Sequence, residues 1–127
     1  MIVVDASVLV GAVLGTQAAV VDRLSREPAL HAPELLPLEV ASALRRFVLA
    51  GQVGERVART ALGMVAELPL TLYPHVVLLS RIWELRANLT VCDAAYVALA
   101  EALEVPLITS DARLSQAPGI RCSVELV

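Results

Sequence analysis

Lysine is absent from this chain of 127 residues, and its ten basic residues are all arginine. The absence argues against phospho-receiver domains and haloacid-dehalogenase-type phosphatases, because both need a lysine beside their acidic residues. Acidic residues outnumber basic ones and give a net charge of −3, so the chain has no global attraction to nucleic acid. Arginine suits bidentate recognition of phosphate, but an all-arginine set more often reflects genomic base composition.

Aromatic residues and cysteines are also scarce. Aromatic side chains make up 3% of the chain, which is too few for a base-stacking platform. The two cysteines, Cys92 and Cys122, form neither a disulfide framework nor a zinc-binding pattern. We expect both to be buried as small hydrophobic residues.

Long hydrophobic runs are missing, although 57% of the residues are hydrophobic and the mean hydropathy is +0.72. The longest charge-free run, 6–21, contains Gly11, Gly15, Thr16 and Gln17 and falls short of the ~18 apolar residues of a membrane span. It has no basic segment before it, so a signal peptide is not expected. The composition predicts a single cytoplasmic domain, residues 1–127, with no membrane contact and with apolar surface left for a subunit interface.

Short strand-like runs alternate with helical patterns along the chain. Strands are predicted for 2–4, 30–32, 70–73, 105–109 and 121–126. Helices are predicted for 8–14, 17–26, 35–50, 55–68, 76–87 and 91–103. This alternation predicts an α/β layer sandwich with a mainly parallel sheet.

The segment 88–100, NLTVCDAAYVALA, contains a single charge, Asp93. On a helix, Asp93 shares a face with Tyr96, Val97 and Ala100, which is an apolar setting for a carboxylate. One interpretation makes Thr90 the N-cap and places Asp93 in the first turn, where the helix dipole favours a negative charge. The other makes Asp93 an inward-facing ligand, and the segment alone leaves both open.

Three further acids stand at positions of interest. Asp5 and Asp111 each directly follow a predicted strand, and parallel sheets bind ligands beyond the carboxyl ends of their strands. Glu39 lies roughly 60° from the apolar stripe of its helix, at about 100° per residue, and so borders the core. Asp5 and Asp111 could instead cap the turns that follow them, and Glu39 could be a rim residue paired elsewhere.

Together these four carboxylates predict a cation site. Clustered carboxylates repel one another, and a hard divalent cation among them removes that cost. Oxygen-only ligands favour Mg²⁺ or Mn²⁺ over Zn²⁺. Such a site performs metal-assisted hydrolysis of a phosphodiester.

Four segments, MIVVDASVLV, PLEVASALRR, LTVCDAAYVALA and PLITSDARL, resemble the signature segments of PIN-domain ribonucleases, most closely the VapC-type toxins of bacterial toxin–antitoxin pairs. The resemblance implies a PIN-like three-layer α/β/α sandwich. It assigns the catalytic and metal-binding positions to Asp5, Glu39, Asp93 and Asp111, and supporting positions to Ser7 and Thr109.

The resemblance also implies a Mg²⁺-dependent endoribonuclease, with Mn²⁺ as a possible substitute, that forms a homodimer and is inhibited by a cognate antitoxin protein. The chain departs from the family pattern at Ser42, where many relatives have asparagine, and at Cys92, where many have an aromatic residue. The alternative is a catalytically silent PIN-like scaffold that binds RNA or an antitoxin.

Four arginines near the signature segments could contact RNA phosphates or could be solvated surface residues. They are Arg45, Arg46, Arg86 and Arg113.

Overall fold

The computed structural model describes residues 1–127 and contains one five-stranded sheet. Its strands are β1 (Ile2–Val4), β2 (Leu30–Pro33), β3 (Leu70–Tyr73), β4 (Leu107–Thr109) and β5 (Val124–Leu126). Their order across the sheet is β3-β2-β1-β4-β5, and every neighbouring pair is parallel. The prediction of a mainly parallel sheet is confirmed, and the carboxyl ends of all five strands lie at one edge.

Seven α-helices connect and flank these strands. They are α1 (Ala6–Val13), α2 (Ala18–Ser25), α3 (Leu36–Leu49), α4 (Glu55–Glu67), α5 (Leu79–Glu84), α6 (Val91–Leu103) and α7 (Ala112–Ser115). Helices α1, α3 and α4 pack against one another, while α6 packs on β1, β2 and β4 and carries α5. The predicted α/β/α layering is confirmed.

The core is formed where the central strands meet α1 and α6. β1 and β4 are buried along their whole length, which fits their mostly β-branched sequences, IVV and LIT. In α6, residues 94–100 are all buried, because its alanines let the helix backbone approach the sheet closely. The site described below therefore rests on rigid, fully packed elements.

The predicted helix 76–87 was wrong in its extent. A 3₁₀ turn covers Val76–Leu78, and α5 ends at Glu84. After α5 the backbone forms hydrogen bonds between residues three apart, from the Arg86 amide to the Trp83 carbonyl and from the Asn88 amide to the Leu85 carbonyl. This turn brings the chain round to the start of α6.

Two smaller expectations also need correction. β4 and β5 are shorter than predicted, and β4 begins after Pro106, which has no amide hydrogen to give a neighbouring strand. The prediction that both cysteines are buried was wrong: Cys92 is exposed in the first turn of α6, and Cys122 is half-buried. No single helix is long and apolar enough to cross a membrane; α1 and α2 satisfy length and composition only as a pair bent by 106°.

Candidate active site

A cavity of about 640 Å³ opens at the carboxyl ends of β1 and β4, and all four predicted acids line it. Asp5 follows β1 and Asp111 follows β4, whereas Glu39 comes from α3 and Asp93 from α6. The fold therefore brings together carboxylates from four separate segments, as the sequence predicted.

Asp5 is the most enclosed of the four, with 8% of its surface exposed. Its Oδ1 accepts hydrogen bonds from the Ser7 hydroxyl at 2.6 Å and the Val8 amide at 3.1 Å, and its Oδ2 accepts one from the Thr109 hydroxyl. Burial raises the pKa of Asp5, an effect that these three donors offset only in part and to which the charge of Asp93 adds. Asp5 caps α1 and belongs to the acidic cavity at the same time.

Ser7 and Thr109 hold the ends of the two central strands around Asp5. Thr109 is fully buried, and its hydroxyl accepts a hydrogen bond from the Asp111 amide at 3.0 Å while donating to Asp5. The Ser7 hydroxyl accepts one from the Ser110 amide at 3.3 Å. Both predicted supporting residues thus contact Asp5 directly and fix its orientation.

Glu39 has a partner that the sequence analysis missed. The Tyr96 hydroxyl donates to Glu39 Oε1 at 2.7 Å. Burial raises the pKa of Glu39; the bond from Tyr96 opposes that rise, and the charges of Asp93 and Asp5 strengthen it. A buried tyrosine usually has a hydrogen-bond partner for its hydroxyl. Tyr96 on the otherwise apolar α6 could therefore have indicated a polar partner in the sequence.

The structure confirms that Asp93 lies in the first turn of a helix capped by Thr90, and it also places Asp93 in the cavity lining. The Thr90 hydroxyl accepts a hydrogen bond from the Asp93 amide at 3.1 Å, so Thr90 is the N-cap. The Asp93 carboxylate accepts no hydrogen bond and therefore does not complete a capping box. Its charge contributes to the raised pKa of both Asp5 and Glu39, which places it in the crowded part of the cavity.

Asp111 differs from the other three acids. Its carboxylate accepts a hydrogen bond from the Arg113 amide at 2.9 Å and forms an ion pair with the Arg113 guanidinium at 3.1 Å. These contacts with Arg113 hold the pKa of Asp111 below its usual value. The predicted cap therefore exists, and Asp111 stands at the cavity wall as an ionised acid with a solvent-exposed counter-ion.

No group of three or more histidine, cysteine or acidic side chains is spaced to hold a metal ion directly. This arrangement excludes a closed protein cage but fits Mg²⁺ or Mn²⁺, because Mg²⁺ keeps several waters and takes only one or two carboxylates. The donors facing the cavity are oxygens, and Asp93 has both of its oxygens free. Ser110 adds a buried hydroxyl oxygen without a partner.

The cavity continues away from the acids between α1, α3 and the turn before α4. We call this part the distal arm; it is lined by Leu14, Gln17, Arg46, Phe47, Gln52 and Val53. Arg46 is the only cationic side chain in the whole lining. The sequence alone did not distinguish Arg46 from Arg45, Arg86 and Arg113 as a possible phosphate contact.

The PIN domain family model matches residues 2–120. The chain therefore belongs to the PIN-domain family. Ribonuclease VapC1 of Mycobacterium tuberculosis is 47% identical over 128 residues, which cover 98% of this chain and 96% of that protein. The predicted resemblance to VapC-type members is thus confirmed.

Two solved structures share the fold. The Mycobacterium tuberculosis toxin VapC20, which cleaves the sarcin–ricin loop, has a TM-score of 0.71 and 19% identity, covering 95% of this chain and 97% of that one. VapBC2 of Rickettsia felis, bound to a promoter DNA fragment, has a TM-score of 0.73 and 13% identity, covering 100% and 99%. At such identities the likeness concerns the fold.

Proposed function

We propose that this protein is a metal-dependent endoribonuclease that hydrolyses RNA phosphodiester bonds and acts as the toxin of a toxin–antitoxin pair. The observation that carries the proposal is the crowding of Asp5, Glu39 and Asp93 on one cavity. Its support is the 47% identity to a named ribonuclease over nearly the full chain. Mutual repulsion of these acids is a cost that a bound cation would remove.

Mg²⁺ or Mn²⁺ bound there would supply an activated water and stabilise charge on the phosphate oxygens. Asp93 is the natural direct ligand, because nothing else in the chain engages its oxygens. Tyr96 holds Glu39 toward the same cavity, and three donors fix Asp5 at its floor. We assign Asp111 as the fourth acid of the site, with Arg113 as its counter-ion.

A homodimer and an antitoxin partner belong to the same proposal. The segment 76–83 exposes four large apolar side chains: Val76 (77%), Val77 (74%), Leu79 (52%) and Trp83 (63%). An exposed group of this kind, with an aromatic residue, is typical of a protein interface. We assign this face to the second subunit, while the antitoxin would act at the cavity.

Cleavage of a labelled single-stranded RNA tests the activity, with Asp5→Asn as the inactive variant and Glu67→Gln as its charge-matched control. Glu67 is exposed, makes no ion pair and does not line the cavity. Cleavage is expected with Mg²⁺ or Mn²⁺ in the wild type and in Glu67→Gln, and is expected to stop in EDTA. Binding without cutting in both metals would favour the silent scaffold, and cleavage that persists in EDTA would contradict metal dependence.

A further inference from the structure

We propose that Arg46 binds a phosphate that flanks the cleaved bond and that the distal arm receives the adjoining nucleotide. This inference rests on the proposed ribonuclease function and names the part of the cavity that positions its substrate. Arg46 would be a substrate-binding residue, separate from the acids that carry the chemistry.

The first argument comes from the geometry of α3. Glu39, Ser42 and Arg46 all line the cavity and follow one another at three- and four-residue steps, so they share one face of the helix. Arg46 lies seven positions after Glu39, which corresponds to about 10 Å along the helix axis. The guanidinium therefore belongs to a region beside the acidic cluster, where a neighbouring part of the same strand would lie.

The second argument is charge. Arg46 forms no salt bridge and no side-chain hydrogen bond, although five other arginines are paired with carboxylates. Those five are Arg23, Arg26, Arg59, Arg81 and Arg113. The net charge of −3 and the acids of the cavity both repel a polyanion, so a strand entering it needs a local cation. Arg46 is the one residue of the lining that meets this need.

The third argument is the chemistry around the guanidinium. Phe47 and Val53 offer half-buried apolar surface, and Gln17 and Gln52 offer amides able to donate and accept hydrogen bonds. Gly11 leaves room for Gln17, because a Cβ at this glycine would lie 3.2 Å from the Gln17 Cδ. A ring, an amide and a cation together fit a nucleotide, whereas an apolar protein segment would leave Arg46 unused.

Arg45 provides a matched control. It precedes Arg46 on α3, is also exposed and unpaired, and does not line the cavity. Arg46→Ala and Arg45→Ala therefore remove the same charge from the same helix. We expect Arg46→Ala to raise KM for single-stranded RNA about tenfold, the loss typical of one charge-assisted hydrogen bond, with kcat nearly unchanged. Arg45→Ala should change KM less than twofold.

Salt dependence gives a second readout that a folding defect would not reproduce. The affinity for a fluorescent RNA in EDTA, followed by anisotropy, should lose about 0.7 from its logarithmic salt slope in Arg46→Ala, since one phosphate contact is removed. Arg46→Lys should retain the wild-type slope. Equal KM for the two alanine variants, or an unchanged slope, would overturn the inference. The inference would also be overturned if Arg46→Ala bound RNA as wild type does but no longer bound a co-expressed antitoxin. A wild-type protein that cuts no RNA would instead refute the proposed function itself.

Discussion

Replacing Asp93 with asparagine changes the free energy of unfolding in two opposite ways, through the helix dipole and through repulsion from neighbouring acids. The Thr90 cap survives the change, because it uses the amide of residue 93 and not its side chain. No hydrogen bond is lost, since the Asp93 carboxylate accepts none. The loss is the favourable interaction of the charge with the start of α6, worth about 0.3–1 kcal/mol.

The variant gains stability because the charge at position 93 no longer repels Asp5 and Glu39. Like charges about 10 Å apart repel by ~0.4 kcal/mol in water and by ~1.7 kcal/mol at the effective dielectric of a protein surface. Asp93 is partly open to solvent, so we place the relief at about 1–2 kcal/mol in total. The net effect in EDTA is a stabilisation of roughly 1 kcal/mol, or about 3–5 °C in Tm for a chain of this size.

Thermal melts of wild type and Asp93→Asn, at one protein concentration, measure the change in stability in EDTA and the stabilisation by Mg²⁺. In EDTA the variant should melt higher than wild type. Wild type should gain about 2.7 kcal/mol with Mg²⁺ at a hundred times its Kd, and the variant should gain little. Glu67→Gln, which removes the same charge outside the cavity, should keep the full Mg²⁺ response. A variant that melts lower in EDTA and responds normally to Mg²⁺ would refute the assignment of Asp93 as a ligand.

Three shorter predictions concern other contacts. Tyr96→Phe removes the donor to Glu39, so the acid limb of the pH–rate profile should move to higher pH. Arg81→Met should cost about 3 kcal/mol in urea unfolding at pH 7, because it strands the mostly buried Glu101 carboxylate. Burial raises the pKa of Glu101, but bonds from Arg81 and the Arg121 amide outweigh it and lower the pKa in the wild type. The difference should therefore be largest at neutral pH and shrink as the pH falls into the acid range. Val77→Asp should convert a dimer into a monomer by light scattering; an unchanged mass would place the interface elsewhere.

Local patterns predicted most of the secondary structure. The bounds of β1, β3 and α6 agree with the sequence prediction to the residue, because each element is delimited by a strong signal such as the Thr90 cap. Contacts between residues far apart in the chain could not be predicted from the sequence. The Tyr96–Glu39 bond joins residues 57 positions apart, and Arg81 meets Glu101 across 20. Such contacts depend on how the helices pack, which the pattern of one helix does not contain.

The position of Asp5 shows why a cap and a ligand were never true alternatives at this site. A carboxylate buried beside two others needs compensation in the absence of metal, and the Val8 amide of the cap supplies part of it. The Ser7 and Thr109 hydroxyls add to it without cancelling the effect of burial, and they leave Asp5 fixed. Asp93 has no such donors, so it is the acid whose charge remains available. A cation arriving at this cavity would therefore find one rigid carboxylate and one free one, and the free one should determine its affinity.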